Sequence, residues 1–231
     1  MAVNINCDMG ESFGLYKMGD DEGMMPFITE ANVACGFHGS DPNHMRKTVD
    51  LAKAAGVKVG AHFSLPDLPG FGRREMKIDR EEMANIITYQ IGALKGFLDA
   101  AGMPLNHLKP HGALYGMAAK QEHIAHAVAD AAEEFNAPVF GMTGTLHEDI
   151  YTSRGLEFRA EFYADLDYDD DVDRTIFQII DTGTNSIFWD GRDGLGNQIP
   201  IQMEYTFNYH LEIRGGEAHI IMEDIENNFG G

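Results

Sequence analysis

Over the first two-thirds of the chain, apolar residues recur in two alternating rhythms. Short apolar runs of strand length occur as "VNINC", "ANVACGF", "VKVGAH", "LNHLKPH", "APVFGM" and "LEFRAEFYA". The segments between them carry helical spacing. In "NHMRKTVDLAKAAG", Met45, Val49 and Ala52 share one face and Gly56 supplies a stop. In "DREEMANIITYQIGALKGFLDAAG", Met83, Ile86, Ile87, Leu94, Phe97 and Leu98 form one stripe, capped by Asp79 and stopped by Gly102. "KQEHIAHAVADAAEEF" is a third helix. Strand and helix in alternation predict parallel strands joined by crossover helices. A β/α barrel and a doubly wound sheet both satisfy that pattern. No glycine fingerprint of the dinucleotide or P-loop type follows any strand, which weighs against a nucleotide-binding sheet.

The rhythm stops after about residue 167. An acidic run, "DLDYDDDVD", reads as a solvated loop or linker, and "SIFWDGRDGLGNQIP" is rich in turn signals. In "QMEYTFNYHLEIRGGEAHIIMED", apolar and polar residues alternate about a Gly-Gly turn, the pattern of a β-hairpin. The expected division is an α/β unit over residues 1–168 and an acidic linker with a β-rich tail over 169–231.

The strand ends hold the candidate chemistry. In parallel α/β folds, functional groups gather at the carboxyl ends of the strands. The first strand ends at Asp8, with Glu11 just beyond; the second leads to His38 and Asp41. The third leads to His62 and Asp67, and the fourth delivers Lys109 and His111. Gly36, Gly39, Gly60 and Gly112 flank the histidines and leave room for a ligand near the backbone. Such a set can hold a divalent metal that activates water. It can equally form a metal-free acid–base site, with Lys109 steadying an anion. No HExxH or CxxC spacing decides between the two. Arg73 and Arg74, in "GFGRR", are either a solvated basic pair or a clamp for a carboxylate or phosphate.

Composition narrows the partners. A net charge of −20 on 231 residues argues against nucleic acid and anionic membrane as ligands. Two cysteines, Cys7 and Cys35, sit in apolar runs and read as reduced, buried thiols of a cytoplasmic protein. There is no apolar run of spanning length, and the first residues lack the regions of a signal peptide.

The stretches "NINCDMGESFG", "MGDDEGMMPFITEANVACGFHGSDP", "GVKVGAHFSLPDLPGFGRREM", "YQIGALKGFL" and "LNHLKPHGALYG" resemble the LamB/YcsF family, nearly continuously over residues 3 to 168. Bacterial members of that family include the A subunits of 5-oxoprolinases. The resemblance implies a seven-stranded β/α barrel of the glycoside hydrolase/deacetylase type. It also implies a role in the ATP-dependent opening of 5-oxoproline to glutamate, a cyclic amide hydrolysis. Subunits B and C would handle ATP and activate the lactam, and this chain would act on the activated ring. Carried over by motif, the catalytic positions are Asp8, Glu11, His38, His62, Lys109 and His111, and the substrate-binding positions are Asp41, Asp67, Arg73 and Arg74. Asp8 or a histidine would be the base, and Lys109 or Arg73 would hold the anion. Two departures stand out. Phe63 follows the third-motif histidine where many members have proline, and the late family motif resembling "CVHGDTP" has no match, Asp190 standing where its histidine would be. The last strands of the barrel are therefore expected to be missing or replaced. The alternatives are a metal-dependent deacetylase or hydrolase on the same barrel, and a binding subunit without catalysis.

Overall fold

A computed structural model describes residues 4–161 and the backbone of 218–222. Strands β1 (Asn4–Met9), β2 (Glu30–Ala34), β3 (Lys58–Phe63), β4 (Leu105–Pro110), β5 (Val139–Met142) and β6 (Phe158–Glu161) pair in sequence order. Every pairing is parallel, and the sheet curls into a half-barrel. The segment Ala218–Met222 (β7) runs parallel to both β1 and β6. The rest of the expected acidic linker and tail, including the other half of the expected hairpin, lies outside the described residues.

The helices follow their sequence signals. After the short helix α1 (Asp21–Met24), α2 (Pro42–Ala55) starts at Asp41, whose carboxylate accepts from the N–H groups of Asn43 and His44. Pro42 takes the first helical position, where its missing N–H costs nothing. Helix α3 (Arg80–Ala101) is capped by Asp79, and both α2 and α3 end on a left-handed glycine, Gly56 and Gly102. Met83, Ile87, Leu94 and Leu98 of α3 are fully buried, each worth about 1.5–3 kcal/mol of apolar burial. Ile86 and Phe97 are only half-buried at the edge of that stripe. Gln90 lies inside it, spanning the backbone N–H and carbonyl of Ser64 with its amide. The expected third helix is α5 (Glu122–Phe135), preceded by α4 (Gly112–Lys120) and followed by α6 (Leu146–Ser153).

His147, on α6, joins three elements from a fully buried position. Its Nδ1 accepts from the Met142 N–H at 3.1 Å, and its Nε2–H donates to the Tyr115 carbonyl at 3.0 Å. Only neutral imidazole fits both contacts, and burial pushes its pKa down to about 4. The unfolded chain takes up this proton below about pH 6.5, whereas the folded chain resists it until about 4. The stability due to His147 is thus full above pH ~6.5 and lost as the pH falls from there towards 4, by up to about 3 kcal/mol. Urea unfolding at a series of pH values should show that decline, and His147→Asn should be less stable but with a shallower slope in the same window.

Candidate active site

The inner face of the first four strands is polar. Alternation along β1 turns Asn6 and Asp8 to one side, and the register sets Asp8 beside Asn32 on β2. The buried Asn32 amide donates to Asp8 Oδ1 and to Asn6 Oδ1, both at 2.7 Å. Asn32 Oδ1 lies 2.6 Å from His107 Nε2 on β4, which stacks on Phe140 at 4.2 Å. Gly60, opposite Asn32 on β3, makes room for that ring, because a Cβ there would land on it. This layer fixes Asp8 from below.

Around Asp8 the strand ends converge. Lys109 Nζ donates to Asp8 Oδ1 at 2.9 Å, and its side chain is only 2% exposed. His62 Nε2 is 3.1 Å from Asp8 Oδ2. Burial acts upward on the Asp8 carboxyl, but His62 and Lys109 outweigh it and hold the group well below the usual carboxylate range. His62 Nδ1 lies 3.1 Å from the Lys109 carbonyl, and His111 Nε2 lies 2.8 Å from the Phe71 carbonyl. A carbonyl only accepts, so each of those nitrogens carries a hydrogen. The remaining nitrogens, His62 Nε2 and His111 Nδ1, face each other at 3.0 Å. His38 stacks on His111 at 3.7 Å and turns Nε2 to Glu11 Oε1 at 3.0 Å. Burial, with neighbouring His111 and His62, pushes His38 well below the ordinary imidazole range. Burial and His62 push His111 down to about 3. Both rings are therefore neutral near pH 7.

The loop after β3 covers the histidines. Gly72, at φ +66°, presses against them, and a Cβ there would meet His38 Cβ at 2.9 Å and His111 Cδ2 at 3.0 Å. The Ala113 N–H donates to the Gly72 carbonyl at 3.0 Å, tying the loop to the start of α4.

Asp8, Glu11, His38, His62, Lys109 and His111 thus share one chamber. The four residues expected to bind substrate lie elsewhere or face outward. Asp41 caps α2 and also takes the Gly14 N–H and His44 Nδ1, each at 2.7 Å, and these bonds hold its carboxyl below the usual range. Asp67 is buried, accepts the Gly70 N–H and pairs with the Arg74 guanidinium. Both thus direct their polar atoms into the scaffold, and Arg74 is spent on Asp67. Arg73 is exposed on the covering loop, its guanidinium 5.6 Å from the Phe71 ring centre. Cys7 and Cys35 are buried, and burial pushes the Cys35 thiol up to about 12.

This constellation sits inside a stretch that the LamB/YcsF family model matches over residues 3–179. The chain belongs to the LamB/YcsF family. Among similar family members, the A subunit of a 5-oxoprolinase from Tolumonas auensis is 49% identical over 171 residues, covering 73% of this chain and 68% of its own. A lactam utilization protein lamB of Emericella nidulans is 52% identical over 165 residues, covering 71% and 65%. The crystal structure of a lactam utilization protein from Thermus thermophilus superposes with a TM-score of 0.71 at 45% identity, covering 73% of this chain and 69% of that one. The matched part is about two-thirds of the length of these relatives. Among the described residues, no helix is long and apolar enough to cross a membrane.

Proposed function

We propose that this chain is the A subunit of an ATP-dependent 5-oxoprolinase and opens the activated lactam of 5-oxoproline to glutamate in the cytoplasm. The observation that carries the reading is the buried Asp8–Lys109–His62 grouping beside Glu11, His38 and His111, in a family whose similar members are named for lactam utilization or 5-oxoprolinase. A lactam amide is a poor electrophile. Phosphorylation of its oxygen, with ATP handled by partner subunits B and C, makes the ring carbon attackable. Asp8 is ionised and fixed by Asn32 and Lys109, so it can orient water and receive its proton. The Lys109 ammonium, beside Asp8, can counter the negative charge of the phosphoryl group on the attacked carbon's oxygen. Ring opening then needs a proton on the departing nitrogen, and Asp8 can return the one it took from water; C–N cleavage leaves an acyl phosphate, which a second water hydrolyses to glutamate and phosphate. Arg73, exposed on the covering loop, is assigned to the substrate carboxylate or the phosphate.

The same proposal includes the architecture. Residues 1–168 would be the catalytic unit, and the Ala218–Met222 segment would close the sheet as the seventh strand of the barrel. The strand edges of β1 and β6 would otherwise stand open.

Reconstitution tests the function. With 5-oxoproline, ATP and B and C subunits from a related system, glutamate release is expected only when this chain is added. A folded chain that supports no release contradicts the reading.

A further inference from the structure

The arrangement of protons in the chamber points beyond acid–base chemistry. His62 and His111 each commit one N–H to a backbone carbonyl, which fixes the tautomer and turns the other nitrogen inward. That is how ligating histidines are commonly held. Their inward nitrogens are both acceptors when the rings are neutral, yet they lie 3.0 Å apart. Glu11 Oε1, also an acceptor, stands 3.7 Å from His111 Nδ1. Acceptors facing acceptors repel unless something positive lies among them. A third imidazole reaches the same place: His38 is fully buried and turns its Nε2 to Glu11 Oε1 at 3.0 Å.

The spacing fits a metal ion. One donor atom each from Glu11, His38, His62 and His111 lies within 4.8 Å of all the others. A tetrahedral ion with bonds of about 2.05 Å needs ligands about 3.3 Å apart. The closest pairs straddle that value, at 3.0 Å for His62–His111 and His38–Glu11 and 3.7 Å for His111–Glu11. Three imidazoles and one carboxylate suit a divalent first-row ion, and zinc best matches the donor set. A single proton on His62 Nε2 is the competing way to relieve the repulsion. It does not account for a third imidazole and a carboxylate placing donor atoms within 4.8 Å of the same two nitrogens.

We propose that Glu11, His38, His62 and His111 bind one divalent transition-metal ion, most favourably zinc, at the mouth of the sheet. Asp8 and Lys109 stay outside the ligand set and act on water and substrate. The inference deepens the hydrolytic reading of the same chamber and rests on it for purpose, but its test does not need turnover.

Untagged chain is freed of metal, checked for fold by circular dichroism, and titrated with zinc alone against a chromophoric chelator, then with cobalt(II) alone. One ion per chain is expected, and the cobalt form should show the intense visible absorption of a tetrahedral site. Loss of an outer hydrogen bond to a ligand costs 10–100-fold in affinity, so Glu11→Gln and His111→Gln, which remove ligands, should cost at least about 100-fold. His123→Gln, on an exposed helix position, should bind as the unaltered chain does. If His111→Gln does not fold, Glu11→Gln and the cobalt spectrum still decide. A folded chain that takes up neither ion, or ligand variants that bind as tightly as the unaltered chain, would overturn the proposal. Stoichiometric metal in a chain without lactam turnover would instead count against the 5-oxoprolinase reading alone.

Discussion

Asp8→Asn is expected to lower reconstituted glutamate release by roughly 10²- to 10⁴-fold, the usual worth of a positioned general base. The substitution keeps the shape of the side chain and can keep the Asn32 and Lys109 contacts through its remaining oxygen. Circular dichroism and the thermal midpoint should therefore stay close to those of the unaltered chain. The substrate concentration for half-maximal rate should also change little, because the carboxylate acts on water and not on the resting lactam. A variant with more than a tenth of full activity would move the base to one of the histidines.

Lys109→Met should be the most destabilising single change in the chamber. It removes the cation 2.9 Å from a largely buried carboxylate and replaces it with an apolar chain of similar length. Breaking a buried pair from one side typically costs 3–5 kcal/mol; Asn32 and His62 still contact Asp8, so about 3 kcal/mol is expected. The Asp8→Asn/Lys109→Met double variant should be more stable than Lys109→Met alone by about 1–2 kcal/mol, because no uncompensated charge remains. Denaturant unfolding of the four chains gives that coupling. Strict additivity would mean that the pair contributes no more than two separate side chains. Activity should be absent from both lysine variants.

Much of this was legible in the residues. Asp79 marks a helix start, and Gly56 and Gly102 mark helix stops, through local backbone chemistry that tertiary contacts do not override. The strand ends could be read for the same reason: short apolar runs that end in Asp, His or Lys announce where burial gives way to a site. The sheet's polar interior was harder to see. Asn6, Asn32 and His107 lie within runs that look buried, and buried strand residues are expected to be apolar. The available signal was the period of two in "NINCD", which puts Asn4, Asn6 and Asp8 on one face against Ile5 and Cys7 on the other. Asp67 and Arg74 illustrate the opposite limit. Composition shows a carboxylate and a guanidinium near a glycine-rich loop, but only the fold shows that they meet each other. His147 gave no period or motif, since its role depends on the Met142 and Tyr115 backbone from two other elements.

A lactam handled at this chamber must disturb its imidazoles, and their resonances report on it directly. The chain is labelled at its histidine ring nitrogens and titrated with 5-oxoproline while those signals are followed by nuclear magnetic resonance. Concerted shifts of His38, His62 and His111 are expected, with exposed His123 unmoved. Glutamate turnover by a preparation whose chamber resonances do not respond to the lactam would contradict that and place the chemistry elsewhere on the chain.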